Sequence, residues 1–203
     1  MQATKRPSSG RLGRPRQQGL AAVEFAIVAI IFFTLFFGVV EMARMMYICN
    51  TLQEVTRRAA ELAVNADFSD GAALQNIREA AVFRSSRGEL MFAQPISDAH
   101  VKIDFLAITR DGAALALTPV QSLPESPEQN QQICMMDAND PRCIRIVRVR
   151  ICQPGDGSTC EAVPYQPLVS LIPIPVLLHF PVSTTTSVAE TLGRSAGLPP
   201  PPG

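Results

Sequence analysis

Five cysteines are the residues of this 203-residue chain whose types and spacing most directly suggest chemistry. Four of them, Cys134, Cys143, Cys152 and Cys160, are separated by eight, eight and seven residues. The cysteine pairs of zinc modules are separated by only about two to four residues. The spacing therefore favours two disulfides over a metal site. The fifth, Cys49, is expected to pack on a helix rather than to bridge two molecules.

Four cysteines permit three disulfide pairings. A strand extending from Cys143 to Cys152 would separate its ends by about 30 Å, so a bridge between these two residues is difficult to form. We therefore favour the local pairing, in which Cys134 bonds to Cys143 and Cys152 bonds to Cys160.

The other residues capable of chemistry form no recognisable catalytic or metal-binding motif. Neither His100 nor His179 has a neighbouring acidic or cysteine motif, and we expect both to be surface or strand residues. Asp137 and Asp140 superficially resemble a calcium loop, but the remaining ligand spacing and the glycine are missing, so a turn is favoured. The sequence thus predicts no enzyme, no cofactor, no metal and no small-molecule substrate.

The distribution of charge excludes a further class of function. The chain has 18 basic and 18 acidic residues, and five of the basic ones lie in residues 1–19, which contain no acid. The rest of the chain therefore carries 13 basic against 18 acidic groups. Binding to nucleic acid requires a clustered cationic surface, so we expect no nucleic-acid partner. The hydrophobic fraction of 47% argues against a wholly disordered chain.

An apolar segment, residues 20–40, follows the basic leader. Its 21 residues contain one charge, Glu24, and a helix of this length spans about 31 Å, close to the roughly 30 Å hydrocarbon core of a bilayer. The leader would hold the N-terminus in the cytoplasm and leave the chain after about Val40 outside, where disulfides persist. A cleaved secretory signal has a shorter apolar run and is disfavoured, whereas an uncleaved anchor remains an alternative.

The residues around Gly19 carry a more specific signal. The string QQGLAAVEFA, residues 17–26, places an apolar stretch directly after this glycine and Glu24 five residues beyond it. The arrangement resembles the processing site of type IV pilins and pseudopilins, in which a prepilin peptidase cuts after the glycine. Over residues 17–64 the chain resembles the TadE-like family of the tight-adherence (Tad, or Flp) pilus system. A Tyr-Gln-Pro-Leu stretch near the C-terminus resembles that family's tail.

The resemblance implies a pseudopilin or minor pilin-like component of type IVb pilus assembly rather than an enzyme. It implies cleavage between Gly19 and Leu20, and pairing of Glu24 with the new N-terminal amine of a neighbouring subunit. The implied partners are the prepilin peptidase, other pilins or pseudopilins, the inner-membrane assembly platform and membrane lipid. The protein would cross the bacterial inner membrane once and expose a periplasmic head. The alternative is an uncleaved, membrane-anchored binding or scaffold protein of the envelope.

The fold implied for this chain is α+β and pilin-like, with a long N-terminal helix packed on a small antiparallel sheet. Apolar and small residues recur at three- and four-residue steps from Met42 onward, so the helix should continue beyond the membrane, as a periplasmic spine, to residue 64. Arg44 would lie on the opposite, exposed face. A second helix is expected over residues 70–83, with Asp70 as its cap.

Alternating patterns predict three strands, within residues 100–108, 143–152 and 181–192. In the second strand Arg148 and Arg150 share one face, which we expect to be solvated. Residues 121–132 and 153–175 resemble loops. The expected domains are a basic leader (1–19), a transmembrane helix (20–40), a periplasmic head (41–195) and a Pro-rich tail (196–203).

Overall fold

The computed structural model describes residues 18–155, 159–168 and 179–193. Most of the expected basic leader and the whole of the expected Pro-rich tail therefore lie outside the described residues. The chain divides into two compact units after Val40.

The first helix, α1, runs over Gln18–Ala63, within two residues of the predicted bounds. Among the described residues, α1 alone is long and apolar enough to cross a membrane. The most apolar window has a mean hydropathy of 2.6, and none of it is buried. Side chains such as Leu20, Phe25 and Leu35 are accordingly exposed in the isolated chain.

The second unit contains a four-stranded antiparallel sheet. Its strands are β1 (Val101–Asp111), β2 (Ala114–Pro119), β3 (Ile146–Ile151) and β4 (Thr184–Val188), and their order across the sheet is β2-β1-β3-β4. The chain is thus an α+β protein with a long N-terminal helix and a small antiparallel sheet, as the sequence predicts.

The core of the second unit is formed by the later turns of α1 and one face of the sheet. Ile48, Leu52 and Val55 of α1 belong to the same buried cluster as Val147 and Val149 of β3. The buried residues of β3 alternate with half-buried ones, because successive side chains of a strand point to opposite faces. This packing confirms that α1 serves as a spine for the sheet.

A second helix, α2, runs over Gly71–Ala81 and confirms the predicted cap. The Asp70 carboxylate accepts hydrogen bonds from the backbone N–H groups of Ala72 at 2.8 Å and Ala73 at 3.2 Å. These are two of the donors that a helix N-terminus leaves without intrahelical partners.

Several sequence-based expectations are wrong. Part of the segment 121–132, expected to be a loop, belongs to a third helix, α3 (Pro127–Met136), which begins with a side-chain cap at Ser126 and a proline in its first turn. Both are helix-start signals that the abundance of Pro and Gln obscured. Strand β2 was not anticipated, because its six residues are exposed almost throughout and show no alternation.

Candidate functional site

The residues with an expected role in processing and assembly lie in the first two turns of α1. Gly19, Leu20 and Glu24 are all exposed, and a Cβ atom added at Gly19 would meet nothing within 4 Å. Leu20 and Glu24 are four residues apart and therefore lie on one helix face. No salt bridge or hydrogen bond connects Glu24 to another residue in the part of the chain that the structure describes.

A polar cluster lies just beyond the apolar segment, and we refer to it as the Arg44 cluster. It comprises the side chains of Glu41, Arg44 and Tyr165 together with backbone groups of residues 92, 166 and 168. Arg44, expected on an exposed face, is in fact buried, with 8% of its surface accessible. The expectation fails because this arginine has partners far away in sequence.

The guanidinium of Arg44 joins two distant loops to α1. Its Nε donates a hydrogen bond to the backbone carbonyl of Phe92 at 3.0 Å, and its Nη1 donates to the carbonyl of Gln166 at 2.7 Å. Nη1 also lies 3.3 Å from Glu41 Oε1. The Leu168 N–H donates to the same carboxylate oxygen at 3.3 Å, so each charged side chain holds a part of segment 165–168.

Tyr165 completes the cluster. Its hydroxyl donates a hydrogen bond to Glu41 Oε1, its ring packs edge-on against Phe180, and the Arg44 guanidinium lies 5.4 Å from the ring centroid. Burial, assisted by the Glu41 carboxylate, raises the pKa of Tyr165 to about 12, although Arg44 opposes the shift. The phenol is therefore a fixed donor at neutral pH, which suits a structural cross-link rather than proton transfer.

The arginines of β3 do not form a solvated face. Arg148 Nε lies 3.4 Å and Arg150 Nη2 lies 2.6 Å from Asp104 Oδ2 on β1, and all three side chains are at least half-buried. The register explains the contact, because Asp104 lies directly opposite Arg148. The expectation failed because the pattern of one strand does not reveal its neighbour.

The two histidines differ in their surroundings. His179 is exposed and forms an isolated β-bridge with Pro164. His100 is buried in a single 3-10 turn, Asp98–His100, so the expectation of a surface or strand residue without an acidic neighbour is wrong for it. The backbone N–H of Ser97 donates to His100 Nδ1 at 3.1 Å. Burial lowers the pKa of His100, against the opposing influence of the Asp98 and Glu89 carboxylates.

The cysteines pair locally, in the arrangement that the sequence favours. Cys134 bonds to Cys143 and Cys152 bonds to Cys160, each pair with a Cα–Cα distance of 5.0 Å. Cys49 is a free, half-buried residue of α1. Over the described ranges, no group of three or more His, Cys, Asp or Glu side chains is placed to hold a metal ion.

Between the first pair of cysteines, Asp137 and Asp140 form the expected turn. The carboxylate of Asp137 accepts a hydrogen bond from the backbone N–H of Asn139. The carboxylate of Asp140 accepts from the backbone N–H and the guanidinium of Arg142. Both aspartates are therefore used locally in the loop that the disulfide closes.

Comparison with known proteins finds a match to a family model. Residues 19–61 match the model of a family described as TadE-like protein, while no curated protein and no solved structure matches the chain. A TadE-like segment indicates a protein associated with the Tad pilus, and the family consists of pilus components that are not known to be enzymes. The match begins at Gly19, includes Glu24 and ends two residues before the end of α1. Over residues 19–61, within helix α1, the chain is therefore similar to the TadE-like family.

Proposed function

We propose that this protein is a pseudopilin or minor pilin-like component of a Tad (type IVb, Flp) pilus assembly system. Residues 20–40 would anchor it in the bacterial inner membrane, with the N-terminus in the cytoplasm and the head in the periplasm. The observation that carries this proposal is the TadE-like match over residues 19–61, on a helix apolar enough to cross a membrane.

We further propose that a prepilin peptidase removes residues 1–19. The bond between Gly19 and Leu20 lies in the first turn of α1, where backbone N–H groups have no intrahelical partners. Opening this turn to extend the chain in a protease cleft would therefore break few hydrogen bonds. The open space around Gly19 also leaves the bond accessible.

Glu24 is proposed to direct assembly after processing. A carboxylate in the bilayer interior costs on the order of 2.5–3.5 kcal/mol on insertion scales, and less near the membrane edge. Glu24 has no partner among the described residues, so a positive group on another subunit would offset this cost. The new amine of Leu20 on a neighbouring pilin would supply this positive group if the two helices were offset by about four residues, or about 6 Å, along their axes. Other pilins and the inner-membrane assembly platform are the partners that this mechanism requires.

Processing can be tested by mass spectrometry of the N-terminus after expression with and without the cognate prepilin peptidase. We expect a chain that begins at Leu20 only when the peptidase is present. Gly19→Phe should abolish cleavage. Gly38→Phe is the matched control, since Gly38 is also an unobstructed glycine of α1, and it should be cleaved normally. An N-terminus near Met1 in every sample would instead support the uncleaved membrane-anchored binding or scaffold protein.

The role of Glu24 requires a separate experiment. Glu24→Ala should be inserted and cleaved normally, but it should recover fewer sibling pilins by crosslinking in membranes. Glu54→Ala removes an exposed glutamate of the same helix, which pairs with Arg57 at the surface, and should leave crosslinking unchanged. Equal crosslinking for the two variants would refute the pairing role without affecting the family assignment.

A further inference from the structure

The Arg44 cluster holds two loops at the beginning of the second unit. Leu168 is attached through its N–H to Glu41, the residue that directly follows Val40. Phe92 is attached through its carbonyl to Arg44, four residues after Val40. Four residues correspond to about 6 Å along a helix and to at most about 14 Å of extended chain. Both loops are thus attached to residues that follow the apolar segment by no more than four positions.

Both loops present large apolar side chains to the surroundings. Phe92 is 66% exposed and Leu168 is 60% exposed, and Met91 is exposed to a similar extent. Met42, on the first helical turn after Val40, is also exposed. Each of these four residues belongs to the Arg44 cluster or directly adjoins one of its residues in sequence. A contiguous apolar surface is unusual on a soluble protein and marks contact with a partner or a membrane.

The backbone at Phe92 indicates that exposure of this ring is not incidental. Phe92 has a φ of +59°, a left-handed conformation that is unfavourable for a bulky residue. Phe83 has the same φ, but the guanidinium of Arg58 lies 5.2 Å from its ring centroid. For Phe92, no ring or cation contact is found within the described ranges.

We propose that Met42, Met91, Phe92 and Leu168 form an apolar foot that enters the interfacial region of the bilayer spanned by the same chain. This inference rests on the proposed membrane anchor. Lipid is the expected occupant because the two loops are tied to residues one and four positions beyond the apolar segment, and because Phe and Leu are typical of apolar surfaces that lie in the membrane interface. The opposite charges of Glu41 and Arg44 are paired within the cluster, so neither is left unpaired at the membrane surface.

The chain contains no tryptophan, which permits a direct test with single-tryptophan variants. Phe92→Trp and Leu168→Trp would each be reconstituted as the full chain in phosphatidylcholine liposomes, with and without bromine on the acyl chains. Phe33→Trp, in the apolar segment, is the positive control. Met136→Trp, at the exposed end of α3 (88% accessible), is the negative control.

Brominated lipid should quench most of the fluorescence at positions 33, 92 and 168 and none at position 136. Quenching at position 33 but at neither 92 nor 168 would overturn the foot and leave the membrane anchor intact. Absence of quenching at all four positions would overturn both proposals. Blue-shifted but unquenched emission at positions 92 and 168 would show that protein, not lipid, covers these residues, and would also overturn the proposal.

Discussion

The Arg44 cluster predicts a large difference between two substitutions that remove the same charge from the same helix. Arg44→Met eliminates the guanidinium but retains a flexible apolar side chain that can occupy much of its volume. Arg57→Met makes the same change where the arginine side chain is 64% exposed and lies 3.3 Å from Glu54 and 3.5 Å from Glu61. The comparison thus separates the effect of burial from the effect of charge.

The magnitudes follow from the partners left behind. Without Arg44, the carbonyls of Phe92 and Gln166 lose a charged donor and Glu41 keeps a mostly buried carboxylate. Breaking a buried ion pair by removing one partner costs about 3–5 kcal/mol, a large fraction of the roughly 5–15 kcal/mol that stabilises a domain. Arg57 contributes surface pairs worth about 0.2–0.5 kcal/mol each.

The assay is urea unfolding of the full chain in detergent micelles, followed by near-ultraviolet circular dichroism. Hydrogen exchange adds a local measurement. Without the contact from Arg44 to the Gln166 carbonyl, segment 165–168 should detach from α1, so the Leu168 amide, which donates to Glu41, should lose its protection in Arg44→Met but keep it in Arg57→Met. The reasoning is refuted if the two variants differ by less than about 1 kcal/mol in the free energy of unfolding. It is also refuted if Leu168 remains protected without Arg44.

Three further predictions concern other parts of the head. The pKa of Tyr165 is raised to about 12 from about 10 in the unfolded chain, so the unfolded chain loses the proton first as the pH rises. The free energy of unfolding should therefore fall by on the order of 2 kcal/mol between pH 10 and pH 12. Tyr165→Phe should remove this dependence in alkaline unfolding curves. Because the pKa of His100 is lowered, the unfolded chain binds the proton first, so stability should decline as pH falls through about 6.5; a His100→Gln variant with an unchanged slope would contradict this. Gly193→Ala should destabilise the head by about 2–4 kcal/mol in thermal unfolding, since φ is +85° and the new Cβ would lie 2.5 Å from Asp67 Cα. Gly155→Ala, which meets nothing within 4 Å, should be nearly neutral.

The elements predicted correctly are those whose information is local in sequence. Helix α1 is specified by a long apolar run followed by a helical stripe, α2 by the Asp70 cap, and β3 by strict alternation of valine with arginine. Strand β2 was missed because an exposed edge strand has no buried face to produce alternation. The prediction of these elements succeeds where a local signal, such as a regular spacing of apolar residues or a cap, is present. It fails where burial imposes no such spacing.

The Arg44 cluster could not be predicted, because Arg44 is 48 residues from Phe92 and 121 residues from Tyr165. An arginine between apolar residues of a helix is normally placed on the exposed face, and the sequence therefore predicts exposure for Arg44, whereas the structure buries it. Met42 begins the apolar stripe of α1, yet it is exposed. Tyr165 itself offers a clue, because its phenol provides a donor for a carboxylate. Nothing in the neighbouring sequence, however, indicates which carboxylate.

The cluster connects the part of the chain that matches the TadE-like family model to a segment outside that match. The family match ends at residue 61, while the Tyr-Gln-Pro-Leu stretch, residues 165–168, lies about 100 residues farther along. Arg44 and Glu41, inside the match, bind the Tyr165 hydroxyl, the Gln166 carbonyl and the Leu168 amide, outside it. Two of these three groups belong to the backbone and require a particular path of the chain rather than particular side chains. Helix α1 and segment 165–168 are therefore the two parts of one cross-link, and a substitution in either part should destabilise both.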